Sequence, residues 1–305
     1  MPVHGNWAVT EACLRSLAAQ TAALRVIVVD DASPDDTLIR LREHPEVDVV
    51  ALATNSGFAA ACNAGIRHGD GDVVVLVNND VEADATMIAE LTASLDASPR
   101  AGSAVPILIK PDGRVDAYGL CVDPTMAGFT RFNGATVAEA ERAPGWRLLG
   151  PYGAVAAFRR TALDEVGLLD EGIFMYGEEL DLAMRLDAAG WPATPSPRAR
   201  GMHLGGATSG RASATQRRRS GFGRGYLLRA YGVLRGRHAI RAVMTEAIVC
   251  AGDLMLSRDL ASTAGRIAGW RAGRTAARRS RRVSAVDPRI GFAESLRLRV
   301  GDRQA

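Results

Sequence analysis

A run of five apolar residues, Val73–Val77, ends abruptly at the polar sequence Asn78-Asn79-Asp80. Four of the five apolar residues are β-branched, which predicts a buried β-strand. Short apolar runs alternate with segments of helical spacing throughout residues 1–110. Because strands separated by helices form parallel βαβ units, this alternation predicts an α/β fold. We predict strands at 25–29, 47–52 and 73–77, and helices at 10–19, 34–43, 59–66 and 85–96.

The second half of the chain has a different pattern. Apolar spacing predicts a strand at 154–158, a short helix at 161–166 and an amphipathic helix at 178–189. After residue 210 the sequence becomes strongly basic, and its spacing predicts long helices at 215–235 and 240–272. We therefore predict two parts: an α/β domain over residues 1–210 and a basic, mostly helical C-terminal extension over residues 211–305.

The distribution of charge supports this division. Residues 1–197 contain 14 basic and 28 acidic residues, whereas residues 198–305 contain 23 basic and only 6 acidic ones. Such a tail favours contact with an anionic membrane surface, polyphosphate or nucleic acid, although a solvated extension is an equal interpretation. The tail lacks aromatic interleaving and any familiar nucleic-acid motif, so we expect no nucleic-acid partner.

The four cysteines are scattered and form no C-x-x-C pair, which argues against a zinc ribbon or a disulfide framework. No apolar segment has the length of a membrane span, and no leader sequence opens the chain. These features favour a reducing, cytoplasmic location, peripheral on the inner face of the membrane if the tail binds lipid.

Polar side chains follow two of the predicted strands. Asp30 and Asp31 end the strand at 25–29, and Asn78-Asn79-Asp80 ends the next strand but one. Ligands of open α/β sheets bind beyond the carboxyl ends of the strands. A carboxylate there suits nucleotide hydroxyls or a hard cation such as Mg²⁺ or Mn²⁺. The alternative is structural: Asp and Asn also favour turns and helix caps.

Three further clusters carry polar groups. Asn55-Ser56-Gly57 precedes a helix that contains Asn63, and a glycine there lets backbone N–H groups approach an anion. Glu178, Glu179 and Asp181 crowd a helix start, where carboxylates raise one another's pKa and can form a general base. His203 stands before two glycines. The alternatives are a tight helix start, acids favoured by the helix dipole, and a structural histidine.

Several nucleotide-binding and hydrolase motifs are missing from the sequence. It contains no G-x-G-x-x-G after a first strand, no G-x-x-x-x-G-K-[ST] and no G-x-S-x-G. A dinucleotide-binding fold, a P-loop NTPase and an α/β-hydrolase are therefore unsupported.

Taken in order, these clusters resemble the family-2 inverting glycosyltransferases of the GT-A fold, especially bacterial rhamnosyl- and galactosyltransferase-like members that build cell-surface polysaccharide. The resemblance covers roughly residues 2–210. Its motifs are Pro2-Val3, Asp30-Asp31-Ala32-Ser33, Asn55-x-Gly57-Phe58 through Asn63-x-Gly65, Asn78-Asn79-Asp80, Gly153-Ala154, Gly167 through Leu182, and His203. It implies a Rossmann-like, mostly parallel sheet flanked by helices.

The resemblance also implies roles for these residues in transfer from a nucleotide-diphosphate sugar to a glycan or lipid-linked acceptor. Asp80 and His203 match the site for Mg²⁺ or Mn²⁺. Glu179 matches the general base, with Glu178 and Asp181 beside it to tune the base or orient the acceptor. The residues expected to bind the nucleotide-sugar are Val3, Asp30, Asp31, Asn55, Gly57, Asn63, Asn78 and Asn79. Those expected around the acceptor are Gly153, Ala154 and Tyr176, with Trp146 as a stacking surface.

Two departures from the family pattern stand out. Family members begin with a hydrophobic strand before Pro-Val, whereas this sequence starts at Met1-Pro2. We therefore expect the first strand to be missing, from either a start that lies upstream or a damaged sheet. The base position usually holds Asp, and Glu179 replaces it here. Both departures keep open an alternative function: a catalytically impaired GT-A domain that binds nucleotide-sugar or glycan without transfer.

Overall fold

The fold begins with alternating short strands and helices. The computed structural model describes the backbone of residues 1–205 and 213–304, and side chains up to residue 299. The predicted boundary at residue 210 lies outside the described residues. The first elements are β1 (Pro2–Val3), α1 (Trp7–Ala18), β2 (Ile27–Asp30), α2 (Thr37–Leu41), β3 (Asp48–Ala51), α3 (Phe58–His68), β4 (Val73–Val77), β5 (Val81–Ala83) and α4 (Met87–Asp96). These agree with the predicted alternation, although α2 is shorter than expected.

The middle of the chain supplies the larger sheet and the helix that carries the acidic cluster. Its elements are β6 (Ser103–Ile109), β7 (Val115–Ala117), β8 (Leu120–Val122), β9 (Gly128–Thr130), α5 (Val137–Arg142), β10 (Val155–Arg159), α6 (Arg160–Val166), α7 (Glu178–Ala188) and β11 (Ala193–His203). Gly177 precedes α7 with a φ of 110°, a left-handed conformation that glycine adopts easily. The acids in the first turn of α7 favour its start because they face the positive end of the helix dipole.

The strands form two principal sheets. β1, β2 and β3 make a parallel sheet, as the βαβ pattern predicted. The larger sheet has the order β4-β10-β6-β11-β5, with β7 paired to β6. It is mixed rather than mostly parallel, because β10 runs antiparallel to both of its neighbours and β5 runs antiparallel to β11.

The first strand is short rather than missing. Pro2 and Val3 pair with Val29 and Asp30 in parallel register, so β1 supports the end of β2. Beside this pair, a cavity of about 380 Å³ separates the three-stranded sheet from the edge of β4. Met1, Ile27 and Val75 are among the residues that line it. The expectation of a wholly absent first strand is therefore wrong, although the two sheets do not join here.

Four α-helices follow in the part of the tail that the structure describes: α8 (Ala214–Ala230), α9 (Ala239–Ser257), α10 (Ala261–Ala272) and α11 (Phe292–Gln304). The single helix predicted at 240–272 is broken between α9 and α10, where Arg258 adopts a left-handed φ of 53°. α8 and α10 approach so closely that Gly221 and Gly225 of α8 lie against the backbone of α10, and Gly265 and Gly269 lie against that of α8. A side chain at any of these four positions would collide with backbone atoms.

The C-terminal helices share a hydrophobic core with the sheet domain. Leu180 and Met184 of α7 lie in one buried cluster with Tyr226 and Leu227 of α8 and Ala242 of α9. This overturns the interpretation of the tail as a solvated extension, as far as the described residues reach.

Much of the tail's positive charge is used inside the protein. Glu246 of α9 accepts hydrogen bonds from Arg224, Arg266 and Arg299 at 2.7, 2.8 and 3.0 Å. Burial raises the pKa of Glu246, but the three guanidinium groups outweigh it and hold the pKa well below its usual range. Arg241 pairs with the fully buried Asp123 at 2.8 Å. The Glu246 pairs hold the C-terminal helices to one another, and the Arg241–Asp123 pair connects them to the sheet domain.

Candidate active site

The strand ends bring the predicted metal residues together. β5 pairs with the end of β11, which sets His203 opposite Val81, next in sequence to Asp80. His203 Nε2 lies 3.4 Å from Asp80 Oδ1, and both residues are 7% exposed. The other ring nitrogen, Nδ1, lies 2.7 Å from Asp116 Oδ2. His203 therefore bridges two carboxylates at the edge of the sheet.

The two carboxylates determine the pKa of His203. Burial lowers its pKa, but the hydrogen bonds to Asp116 and Asp80 outweigh burial and raise the pKa to about 9. Asp116 was not predicted from the sequence. It lies in the irregular segment before residue 150, where no spacing or motif singles out one acid from its neighbours.

The donor set fits a hard divalent cation that is completed by its substrate. Asp80 supplies carboxylate oxygens and His203 an imidazole nitrogen, and Asn78 Oδ1 is buried with no hydrogen-bond partner among the described residues. Within the described part of the chain, no group of three or more His, Cys, Asp and Glu residues is arranged to hold an ion. Mg²⁺ commonly binds one or two carboxylates together with substrate phosphates, so two protein ligands are sufficient here.

The segment 152–154 connects the metal residues to the acidic cluster. The Tyr152 ring lies edge-on to His203, 6.0 Å between centroids. Ala154 accepts a hydrogen bond from the Asn78 N–H at 2.8 Å. A Cβ on Gly153 would lie 3.7 Å from Cγ and Cδ of Glu179, so the glycine leaves that carboxyl group room. These contacts place Glu179 at the same edge of the sheet as Asp80 and His203.

The two glutamates at the start of α7 have different surroundings. Glu178 is 3% exposed, and its Oε2 has no partner within the described structure. Burial, and then the charge of Glu179, raise the pKa of Glu178 well above its usual range. Burial also raises the pKa of Glu179, but Glu179 Oε2 accepts from the Gly177 N–H at 3.0 Å, which favours its ionised form. Glu179 is thus the better base of the pair.

Asp181 points away from this pair. It is completely buried and pairs with Arg185 at 2.7 Å and Arg279 at 3.3 Å, and it accepts from the Tyr231 hydroxyl at 2.9 Å. The structure therefore uses Asp181 to anchor α7 to the C-terminal region rather than to face the acceptor.

The end of β2 carries the predicted nucleotide residues. Asp31 accepts hydrogen bonds from the Ser56 and Gly57 N–H groups at 2.6 and 2.9 Å, so it braces the loop before α3. Asp30 accepts only from the Ser33 N–H, at 3.2 Å, and its Oδ1 is buried without a partner in the described structure. Of the two acids, Asp30 is the one with acceptor capacity left for a ligand.

The smaller predicted residues around this strand end form the floor and rim of the site. The carbonyl of buried Val3 accepts from the Asp31 N–H at 2.8 Å. Asn55 Nδ2 lies 3.0 Å from His4 Nε2, and both side chains contact each other at the surface. Gly57 has a φ of 92°, and a Cβ there would lie 2.6 Å from Phe174, which shows why only glycine fits.

Two predicted asparagines act as braces. Asn63 is 1% exposed; its amide donates to the Leu169 carbonyl and to Glu171, both at 2.9 Å, and accepts from the Leu169 N–H. Asn79 donates to Thr10 Oγ1 at 3.0 Å and is also buried. These contacts hold the segment before α7 and the end of β4 in place, so we assign both residues to the scaffold rather than to nucleotide contact.

The two remaining residues predicted around the acceptor, Tyr176 and Trp146, lie in different surroundings. Tyr176 precedes α7 in a left-handed conformation with a φ of 72°, and its backbone carbonyl lies against Gly223 of α8. Trp146 packs under the Arg289 guanidinium, 5.3 Å from the ring centroid, and against the cluster around Phe129 and Ile290. The described contacts of Trp146 thus belong to C-terminal packing, which does not support its predicted stacking role.

Fold and site together define an α/β domain with polar side chains gathered beyond its strand ends, and comparison with known proteins identifies its family. The sequence model of Glycosyl transferase family 2 matches residues 1–167, so this chain belongs to that family. The chain is 28% identical over 233 residues to the N-acetylglucosaminyl-diphospho-decaprenol L-rhamnosyltransferase of Mycobacterium tuberculosis (strain ATCC 25618 / H37Rv). The alignment covers 67% of this chain and 75% of the relative.

Solved structures of low sequence identity share the fold. GalNAc-T7, solved with UDP, GalNAc and Mn²⁺, superposes with a TM-score of 0.57 at 17% identity over 82% of this chain and 53% of that longer one. S. aureus TarS 1-349 gives a TM-score of 0.55 at 16% identity over 99% of this chain and 86% of that one. The GT-A fold predicted from the sequence is confirmed.

Proposed function

We propose that this protein is a metal-dependent, inverting glycosyltransferase that moves a hexosyl or deoxyhexosyl group from a nucleotide-diphosphate sugar to a hydroxyl acceptor. One observation carries the proposal: the segment 152–154 lies beside His203 through the Tyr152 ring and beside Glu179 at Gly153, where an added Cβ would be 3.7 Å from the carboxyl carbon. Transfer needs a stabilised diphosphate leaving group and a base for the acceptor within a single site, and this segment brings the two together.

The residues divide the work as follows. Asp30 and Asn55 bind the nucleotide, and Asp31 holds the loop that presents the Gly57 backbone. Asp80 and His203 would hold Mg²⁺ or Mn²⁺, which supplies positive charge against the diphosphate as a Lewis acid. The Mn²⁺ and UDP in the GalNAc-T7 structure support this assignment.

Glu179 takes the proton from the acceptor hydroxyl as that oxygen attacks the anomeric carbon. Its raised pKa improves it as a base near neutral pH, and the Gly177 N–H stabilises the ionised form that must be present first. Burial, and then the charge of Glu179, raise the pKa of Glu178, which favours the protonated form of Glu178 beside the base. A single displacement inverts the anomeric centre, whereas a double displacement retains it.

The acceptor class is supported by the mycobacterial relative, whose name specifies a decaprenol-linked diphosphate sugar. We assign this chain to the same broad class: a glycan or lipid-linked acceptor in bacterial cell-wall or cell-surface polysaccharide assembly. A lipid-linked acceptor lies at a membrane surface, so we propose a cytoplasmic enzyme that is peripheral on the inner face of the membrane.

Replacement of the base tests the proposal. Glu179→Gln keeps the shape of the side chain but removes its basicity, so kcat should fall by about 10²- to 10⁴-fold while donor binding stays near normal. The matched control is Glu43→Gln, an exposed glutamate just after α2 that makes none of the contacts described for the site. Turnover is measured with UDP-, GDP- and dTDP-sugars after a thermal-shift screen of donors with Mn²⁺.

The same assay separates the enzyme from a binding-only GT-A domain. Donor-dependent stabilisation of the wild-type protein without transfer or donor hydrolysis would favour the binding-only function. Near-wild-type turnover by Glu179→Gln would show that another group is the base.

A further inference from the structure

α9 presents a continuous apolar surface to solvent. Its outward residues follow one another at spacings of three and four, and Ile240 and Met255, near its two ends, are 78% and 74% exposed. We call this surface the α9 stripe: Ile240, Val243, Met244, Ala247, Ile248, Ala251, Leu254 and Met255.

The charged residues of α9 lie elsewhere on the helix. Glu246 and Asp253 are buried, and Arg241 pairs with Asp123. The polar side of this amphipathic helix therefore packs on the protein, and its apolar side is the one that faces outward. At about 1.5 Å per residue the stripe is about 22 Å long. No helix in the described part of the chain is long and apolar enough to cross a membrane.

Arginines stand at both ends of the stripe. Arg237 precedes it and Arg258 follows it, and both are exposed. Beyond Arg258, α10 continues the pattern: Leu260 and Ile267 are 60% and 49% exposed, and exposed Arg271 comes one turn later. An apolar strip bordered by cationic groups matches the boundary between acyl chains and anionic headgroups of a lipid leaflet.

A second copy of the chain is a less favourable partner for the α9 stripe than an anionic lipid surface. In a twofold pair, an antiparallel arrangement of two stripes brings Arg237 of one copy to Arg258 of the other, and a parallel arrangement pairs like with like. The carboxylates of this segment are buried or, as in Asp259, paired with Arg217. Nothing acidic on the stripe offsets this repulsion, whereas an anionic headgroup does.

We infer that the α9 stripe is a membrane-docking surface that lies flat on an anionic lipid leaflet. The inference rests on the proposed function in one respect, the choice of a lipid surface that follows from a lipid-linked acceptor. Its physical basis is independent of catalysis: a large exposed apolar surface is normally covered by a partner, and lipid covers this one without opposing the arginines.

Vesicle binding by the full-length protein tests the inference without any substrate. The wild-type protein should co-sediment with vesicles of phosphatidylglycerol and phosphatidylcholine, bind pure phosphatidylcholine much more weakly, and be released by added salt, which screens the arginines. The test variant is Ile240→Ser/Met244→Ser/Met255→Ser, which removes apolar contact without adding charge. Its partition onto anionic vesicles should fall about tenfold or more.

Matched controls make the result specific. Leu24→Ser/Ile39→Ser removes two exposed apolar side chains from the sheet domain, which are 38% and 64% exposed, and should bind vesicles like the wild type. Circular dichroism and thermal melting confirm that each variant is folded. Transfer to a short, water-soluble acceptor should be the same in all three proteins.

Three results would overturn the inference. They are a lack of wild-type binding to anionic vesicles, equal binding by the stripe variant, and equal binding to neutral and anionic vesicles. A wild-type dimer that only the stripe variant dissociates, without vesicle binding, would assign the stripe to self-association instead. Normal vesicle binding combined with no transfer in any protein would contradict the proposed function and leave the docking surface intact.

Discussion

His203 donates its Nδ1–H to Asp116 at 2.7 Å and turns Nε2 toward Asp80 at 3.4 Å. The carboxylate behind the ring fixes its orientation, and binding of a metal at Nε2 would require release of the Nε2 proton, because the pKa of His203 is raised to about 9. Asp116 is thus a positioning residue for the proposed metal site, although it lies outside every motif in the sequence.

Loss of Asp116 should therefore weaken metal binding. Asp116→Ala should lower the affinity for Mn²⁺ in the presence of nucleotide diphosphate by about 10- to 100-fold, because His203 is no longer held in its ligating orientation. Electron paramagnetic resonance of free Mn²⁺ measures this directly. Asp112→Ala, an exposed acid four residues away, is the control. Equal Mn²⁺ affinity in the two variants would show that Asp116 does not position the ligand.

The buried pair at the start of α7 should make stability depend on pH. The pKa of Glu178 is raised in the folded state, so its contribution to stability is fully present below the unfolded pKa of about 4.3 and is lost as pH rises through the folded pKa. Glu178→Gln cannot ionise and should escape this loss. The free energy of unfolding in urea, measured at about pH 5 and pH 8, should therefore fall less with pH in Glu178→Gln than in the wild type. An identical pH dependence of the free energy of unfolding in the two proteins would show that ionisation of Glu178 does not destabilise the folded state.

The glycine contact between α8 and α10 should tolerate no added methyl group. Gly225→Ala and Gly269→Ala each place a Cβ against backbone of the facing helix, so the helices must separate. Overpacking of this kind costs about 1–3 kcal/mol, more than the roughly 1 kcal/mol that alanine gains over glycine in a helix. The control is Gly291→Ala, where a Cβ meets nothing within 4 Å. Urea unfolding measures the difference, and a stabilised Gly225→Ala variant would contradict the close contact.

Much of the fold followed from the sequence because its signals were local. The apolar run 73–77 became β4, and the acids after Gly177 began α7 at the predicted residue. Polar residues at strand ends were also predicted from local signals, and Asp30 and Asp80 lie at the ends of β2 and β4. Glu179 and His203 were singled out instead by an acid-rich helix start, a glycine-rich setting and the family resemblance.

The errors came from long-range packing. The local sequence does not distinguish an asparagine that binds a ligand from one that holds a loop in place. Asn63 was therefore predicted as a nucleotide contact, whereas its amide is hydrogen-bonded to Leu169 and Glu171. Asp181 was placed beside the base because helical spacing allows it, whereas Arg279, 98 residues later, captures it. The glycines at spacing four in α8 and α10 were a readable signal of close helix contact that the charge pattern obscured.

The cavity beside β4 lies where the two sheets that carry the site come together without strand pairing. In the described structure no strand pairing joins the three-stranded sheet to the larger one, and side-chain hydrogen bonds of α1, such as Thr10 with Asn79, connect them instead. Asp30 belongs to the three-stranded sheet, and Asp80 follows β4 of the larger sheet. A nucleotide diphosphate bound as proposed would therefore span a boundary that side-chain packing and side-chain hydrogen bonds hold together, with no backbone ladder across it in the described residues.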